Sequence, residues 1–498
     1  MKILLATDLA LSYVAKQDYV DGLDVLFVWL DKLHCHKYID MATIAIMTHF
    51  YSIDTYKSLN EFRVLREKPE MSPNIKKVNE LLKTQYDEKE LKAIKRLLPQ
   101  LLWLDKGLVD YVITENDYLF SVAKAIGIDD RVYSIENFIE KLSVENRDLD
   151  PYKSVRLKVE QMKELDINDR FFNTFKQEYN PYYCDWFRKK GNDAVYVSRY
   201  DNDKIQAILK LKIEDEKEDY SNISPIFSPQ RRLKICSLKV EYTGQKMSER
   251  FLFLCFQTAI DNAVDQIYIT IFPNSSLRKR LVGILKQWGF DYWGIKDNNE
   301  HVYVKDMHPS NKLNIRENYP FCSFTHSGFI IPIHKLYASD LLPSFDINDD
   351  NDDVAPYKCS IKKVLTLYAD NAMLRNGSVL MFYNMSSNKA ERGVMAIGIT
   401  ENVYRKFENI DRYLLRCRKR SILDRATLVD CWKKNEGNIV VVDFLLIHRF
   451  NNIIDINNKS VSSLLANSQI RQVPIQIDKE QYKEIIKDTK YESYNDFD

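Results

Sequence analysis

The run Arg232-Leu-Lys-Ile-Cys-Ser-Leu-Lys-Val240 is followed by Glu241-Tyr-Thr-Gly-Gln-Lys-Met-Ser248 and then by Glu249 to Val264. The first run is apolar and of strand length, which predicts a strand. The second turns the chain, with Gly244 free to take positive φ. In the third, Phe251, Leu254, Cys255, Thr258, Ala259 and Ala263 recur at helical spacing. Gln266 to Phe272 reads as a second strand, and Pro273-Asn274-Ser-Ser leads into a helix ending near Trp288-Gly289-Phe290. Tyr292 and His301 to Lys305 supply the last strands. A strand that enters a helix through a tight turn leaves amide N–H groups pointing outward. With the helix dipole, that geometry favours an anion such as a pyrophosphate.

The chain around this stretch has 498 residues, which implies about three domains. Lys plus Arg (72) nearly balances Asp plus Glu (71), so any nucleic-acid surface must be a local patch. With only 13 glycines, no Gly-rich Rossmann or Walker loop is found. Eight cysteines without a Cys-x-x-Cys pair read as buried thiols of a reducing cytoplasm. The apolar run after Met1 is too short for a signal peptide and is interrupted by Asp8. No stretch approaches the roughly 18 apolar residues of a membrane span.

Lys2 to Thr7 is a buried-strand run ending on Asp8, and helical patterns cover Tyr19 to Leu33 and the residues from Ala42. Gly107 to Asp117 reads as strand and turn before a helix Tyr118 to Ile126. Acidic strand ends gather at the carboxyl edge of an α/β unit and suit Mg²⁺ or Mn²⁺. Ser143 to Leu165 is charged, contains Pro151 and reads as a linker merging into an amphipathic helix; Ile167 to Lys190 is helical and aromatic. Ala194 to Ser198 and Ile205 to Ile213 are paired strands, and Glu214 to Arg232 is a polar loop over the mouth of the core. Short strands follow a second linker: Gly328 to Ile333, Ile361 to Tyr368, Ser378 to Tyr383, Val394 to Ile399 and Ile439 to Phe444. They suggest a small barrel. Asp346 to Asp353 lacks the Gly and the Glu of a calcium loop and reads as a solvated acidic loop.

The opening stretch resembles the core of the GNAT acetyltransferases. In that family a Gln/Arg-x-x-Gly-x-Gly/Ala turn follows the fourth strand, and an Asn-led helix ends in Gly-Phe. Here Thr243, Lys246 and Ser248 occupy the three signature positions, while Asn274 and the Gly289-Phe290 pair match. The resemblance implies acetyl-CoA, with its pyrophosphate on the backbone of Thr243, Gly244, Gln245, Lys246, Met247, Ser248 and Glu249 and with Asn274 nearby. It places the thioester carbonyl on the backbone of Leu238, Lys239 and Val240. The tyrosine that often serves as general acid in the family is here Leu285. Glu241 and Tyr242 remain the candidates for proton handling; a solvated Glu and a packing Tyr are the alternative.

Met1 to about Leu142 resembles a PIN domain, a family of metal-dependent ribonucleases. Asp8 matches its first acid, and Asp110 to Asp117 resembles its Asp-x-x-hydrophobic-Thr-x-Asp/Asn element, with Asn116 at the usual Asp position. The implied Mg²⁺ or Mn²⁺ ligands are Asp8, Asp110, Asn116 and Asp117. The second family acid has no counterpart between Ile44 and Thr48, and Glu88 or Glu90 matches the third poorly. Lost and retained nuclease activity therefore both stay open. Asn376 to Tyr383 followed by Gly393 to Ile399 resembles the PUA-like superfamily with its ASCH and EVE domains, which implies recognition of RNA or modified bases. Arg416, Arg418, Lys419 and Arg420, with Lys389 and Arg392, form the best local basic cluster for phosphates; a solvated helix face is the alternative.

The expected organisation is a multidomain α/β protein. A PIN-like α/β/α sheet domain spans 1–143 and a linker 144–165. A GNAT mixed α/β domain spans 166–308 and a linker 309–318. A PUA-like α+β barrel spans 319–491. The implied activity is acetyl-CoA-dependent N-acetyltransfer, with an acceptor linked to RNA, aminoacyl-tRNA or an RNA-bound protein. The alternatives are a metal-dependent ribonuclease regulated by acyl-CoA and a non-catalytic acyl-CoA and RNA binder.

Overall fold

A computed structural model describes residues 1–15, 23–50, 61–66, 98–146, 157–179, 181–199, 203–241, 247–272, 276–297, 299–308, 314–322, 327–334, 337–338, 341–342, 360–367, 373–386, 388, 391–407, 409–417, 421–456, 473–487, 489 and 491–492. The chain divides into two compact units, Met1–Pro151 with Asn274–Ile284, and Tyr152–Pro273 with Leu285–Asp498.

The first unit is built on β1 (Lys2–Leu5), β2 (His36–Asp40), β3 (Arg63–Leu65), β4 (Tyr111–Ile113) and β5 (Val132–Tyr133). They form one sheet in the order β3-β2-β1-β4-β5, with every pair parallel. Alternation sends Ile3 and Leu5 into one apolar cluster and Leu4 into another. A parallel sheet covered on both faces needs this double burial, and helices supply it. They are α1 (Thr7–Ala15), α2 (Leu23–Lys32), α3 (Met41–Phe50), α4 (Asp117–Ile126) and α5 (Ile135–Glu145).

The second unit holds two sheets. One contains β6 (Leu157–Gln161), β7 (Ala194–Arg199), β8 (Ile205–Glu214), β9 (Ile223–Ser224), β10 (Arg232–Val240), β11 (Gln266–Ile271), β12 (Asp291–Lys296) and β13 (Glu300–Asp306). Its order is β6-β7-β8-β10-β11-β13-β12-β9, and only β10 and β11 run parallel. The expected linker before it contains β6, which pairs with β7 through Leu157↔Ser198 to Gln161↔Ala194. The single aromatic helix expected between Ile167 and Lys190 is two short ones, α6 (Asn173–Glu178) and α7 (Tyr183–Lys189). Phe171, Phe172, Phe175, Tyr183 and Phe187 pack them onto Val195, Val197 and Ile208. The polar loop expected over the mouth forms β9 instead, at the far edge of the sheet beside β12.

Helix α8 (Met247–Asp261) follows β10. Residues 251–257 are buried without a break, the signature of a helix covered all round. It lies on β8, β10 and β11. Phe256 also packs edge-on to Tyr319, and the Gln257 amide donates to the Ile447 carbonyl at 2.6 Å. After α9 (Ser276–Gln287), Gly289 takes φ +81°, and a Cβ there would lie 2.1 Å from the Glu317 carbonyl oxygen.

The last sheet contains β14 (Gly328–Ile333), β15 (Lys362–Leu367), β16 (Val379–Asn384), β17 (Gly393–Tyr404), β18 (Val440–Ile454) and β19 (Ile475–Ile477). Their order is β15-β18-β17-β16-β14-β19. Among the described residues β15 and β19 are not paired with each other, so the expected barrel is an open sheet. The expected linker at 309–318 ends in the short helix α10 (Ile315–Asn318). Helices α11 (Ile410–Cys417), α12 (Arg425–Lys434) and α13 (Lys479–Ile486) complete the unit; α11 and α12 bury Tyr413, Leu414, Cys417 and Leu428 against Val364 and Val441.

Candidate active site

The backbone of the second sheet opens at one place. Strands β10 and β11 pair only from Arg232↔Gln266 to Ile235↔Ile269. Beyond that point β10 stays with β8 as far as Val240↔Ala207, and β11 stays with β13 as far as Ile271↔His301. The cause lies in the β10 register: Ile235 faces Leu211, Ser237 faces Lys210, and Cys236 is the extra residue of a bulge. A bulge bends its strand. Past the bulge Ser237 to Val240 no longer pair with β11, and the gap between the two strands is the wedge. Leu238, Lys239 and Val240 lie on this stretch of β10, past its last pair with β11.

Lys239 and Glu241 turn their side chains to the α6 face. Lys239 Nζ donates to Thr174 Oγ1 at 3.1 Å and lies 4.4 Å from the Phe171 ring centre and 3.3 Å from Glu241 Oε1. The Glu241 N–H donates to the Gln206 carbonyl at 2.9 Å, which prolongs the β8 ladder. Met247 is buried in the first turn of α8, and Ser248 is half-buried beside it. Glu249 Oε1 accepts the Lys362 N–H at 3.2 Å, so this carboxylate is turned to β15. Tyr242, Thr243, Gly244, Gln245, Lys246 and Asn274 lie outside the described residues.

A second polar group at the wedge is not apparent in the sequence. Thr270 is the first residue of β11 past its last pair with β10. Its Oγ1 donates to Glu300 Oε1 at 3.1 Å, and the Tyr179 hydroxyl donates to the same oxygen. Lys296 Nζ holds Glu300 Oε2 at 3.2 Å. Glu300 is 1% exposed, so a charged side chain is enclosed by these three partners. Tyr179 and Phe272 pack with ring centres 5.2 Å apart, which keeps the phenol at the end of β11. Glu300 lies 121 residues from Tyr179 in sequence, and no local motif joins them.

In the first unit the described members of the expected metal set lie at two edges of the sheet. Asp8 lies in the first turn of α1, at the carboxyl edge of the sheet, where it accepts Thr114 Oγ1 at 3.1 Å and the Glu115 N–H at 2.8 Å. Burial raises its carboxyl above the usual range, and these hydrogen bonds only partly oppose it. Asn116 Oδ1 caps α4 by accepting from Tyr118 N–H at 3.0 Å and Leu119 N–H at 3.4 Å. Asp110 lies at the opposite edge, where its Oδ2 accepts the Lys2 N–H at 2.8 Å. The three residues of β4, roughly 10 Å at strand rise, separate it from Asp8. Asp117 opens α4, and its side chain, with Glu88 and Glu90, lies outside the described residues. Among the described residues no three His, Cys, Asp or Glu side chains gather around a common point.

The basic cluster is divided in the same way. Lys389, Arg418, Lys419 and Arg420 lie outside the described residues, as does the acidic loop Asp346 to Asp353. Arg392 Nε donates to the Ser386 carbonyl at 2.6 Å. Arg416 points inward rather than to a phosphate surface: its guanidinium bonds Asp443 and the Tyr404 hydroxyl and lies 3.9 Å from the Tyr404 ring centre. The pairing continues through Lys362 Nζ, 3.0 Å from both Asp443 and Glu401, to Arg316 Nε, 2.6 Å from Glu401. A cavity of about 430 Å³ opens beside it, lined by Asn314, Ile315, Arg316, Lys362, Glu401 and Asn402. Burial raises the Glu401 carboxyl, but Arg316 and Lys362 outweigh it and hold the group at about 2.

No helix among the described residues is long and apolar enough to cross a membrane. No family model matches the chain. No curated protein matches it either. Over part of its length it is similar to solved N-acetyltransferases. A GNAT-family acetyltransferase from Listeria monocytogenes is 15% identical over 22% of this chain, with a TM-score of 0.18; the chain spans 63% of that protein's length. An N-acetyltransferase from Staphylococcus aureus is 15% identical over 30% of this chain and 97% of its own, with a TM-score of 0.22. The GNAT-family YhbS of Escherichia coli, solved with CoA, is 11% identical over 30% of this chain and 82% of its own, with a TM-score of 0.20.

Proposed function

We propose that the chain is an acetyl-CoA-dependent N-acetyltransferase whose active site is the wedge between β10 and β11. The observation that carries this reading is the separation of a parallel strand pair just where β10 leads towards α8. An opened strand edge offers backbone N–H and C=O groups to an extended amide-bearing chain, such as the pantetheine arm of CoA. The Leu238 to Val240 edge would hold that arm and polarise the thioester carbonyl. The start of α8, with the residues that precede it, would take the pyrophosphate at the positive end of the helix dipole. Acetyl-CoA would supply the activated acyl group; the chain's part is to align it and to dispose of the acceptor's proton.

Titration calorimetry with acetyl-CoA tests the reading. Binding at about one site per chain is expected, and Ser248→Glu should abolish it by adding an anion beside the pyrophosphate. No heat of binding with acetyl-CoA at millimolar concentration refutes the proposal, whereas binding that is untouched in Ser248→Glu moves the phosphate site elsewhere.

A further inference from the structure

We infer that Tyr179, backed by Glu300, is the proton-transfer group of this wedge. The inference rests on the transferase reading above. Three observations point to it. Thr270 and Phe272 come after the last β10–β11 pair, so the group they hold lies where the two strands have parted. Glu300 is buried to 1% exposure, yet its carboxylate is bonded to the half-buried Tyr179, which gives the enclosed charge one route towards the wedge. Lys296 Nζ lies 3.2 Å from Glu300 Oε2, so one carboxylate oxygen is anchored while the other accepts from Tyr179.

Among the described residues, the groups bonded to Glu300 are Lys296 from β12, Tyr179 from the end of α6 and the neutral Thr270 from β11. A phenol that donates to a carboxylate gains basicity at its own oxygen. An incoming ammonium R–NH₃⁺ passes one proton to the Tyr179 oxygen while the Tyr179 proton moves to Glu300. The freed nitrogen lone pair then forms the C–N bond to the thioester carbon, the C–S bond breaks, and the thiolate takes the second nitrogen proton. The products are R–NH–acetyl and CoA thiol, and Glu300 releases its proton to solvent. In this scheme Tyr179 touches the acceptor, and Glu300 is the positioning residue behind it.

The test measures release of the CoA thiol with acetyl-CoA and two amine probes, Nα-acetyl-lysine amide and spermidine. Tyr179→Phe and Glu300→Gln should each lose about 10²-fold in kcat/KM at neutral pH. The deficit should shrink as pH approaches about 10, where alkylamines lose the proton unaided. Calorimetry should show acetyl-CoA binding unchanged in both variants. A deficit that is constant across that pH range, or activity within about threefold of wild type, overturns the inference and leaves the transferase reading intact. Acetyl-CoA binding in the wild type with neither amine acetylated also overturns the inference. Absence of acetyl-CoA binding in the wild type overturns both. Should Glu300→Gln fail to fold, Tyr179→Phe, at a half-buried site, decides alone.

Discussion

Glu401→Gln should cost the second unit about 3 kcal/mol at neutral pH and almost nothing in strong acid. Glutamine has the shape of a protonated glutamate, so the variant mimics Glu401 after proton uptake. Arg316 and Lys362 hold the wild-type carboxyl at about 2 instead of 4.5, and at 1.36 kcal/mol per pH unit that difference is worth about 3 kcal/mol. The folded value is depressed, so this stability is complete above about pH 4.5 and is lost as pH falls towards 2. At about pH 3 the difference between wild type and variant should have fallen to less than half. Asp443 shares Lys362 with Glu401 and is present in both proteins. Urea unfolding by tryptophan fluorescence at a series of pH values measures the gap. A gap that stays constant with pH would show that the variant suffers from lost packing or hydrogen bonding, and the electrostatic argument would fail.

Gln257→Ala should destabilise the second unit by about 2–3 kcal/mol, because it leaves the Ile447 carbonyl and His448 Nδ1 buried without their amide partner; a thermal melt checks this. Gly289→Ala should lower the melting midpoint, since it combines φ +81° with a Cβ only 2.1 Å from the Glu317 carbonyl. A midpoint equal to wild type would mean that α10 can move aside at little cost.

What could be read from the sequence follows from how locally each feature is encoded. Arg232 to Val240 reads in sequence as an apolar run of strand length, and the strand has the expected bounds. Strand β6 was hidden: of its five residues only Leu157 is buried, so the segment reads as polar linker and becomes a strand only through pairing with β7. The bulge at Cys236 is a matter of register between strands, and no single-strand pattern reveals it. Arg416 reads as part of a basic run because sequence shows charge but not partner; Asp443, 27 residues further on, draws it inward. Asp110 and Asp8 are both acids next to strands. Deciding which edge of the sheet each occupies requires the parallel registers of β1 and β4.

Helix α8 has no solvent face to spare. One side lies on β8, β10 and β11, while Glu249, Phe256 and Gln257 bind it to Lys362, Tyr319 and β18. The last sheet therefore cannot be removed from behind it as a detachable module. Its loss would leave buried aromatic surface in water and strip partners from an amide and a carboxylate. Substitutions on β18 or at Tyr319 consequently reach the helix that starts at the wedge without touching the wedge itself.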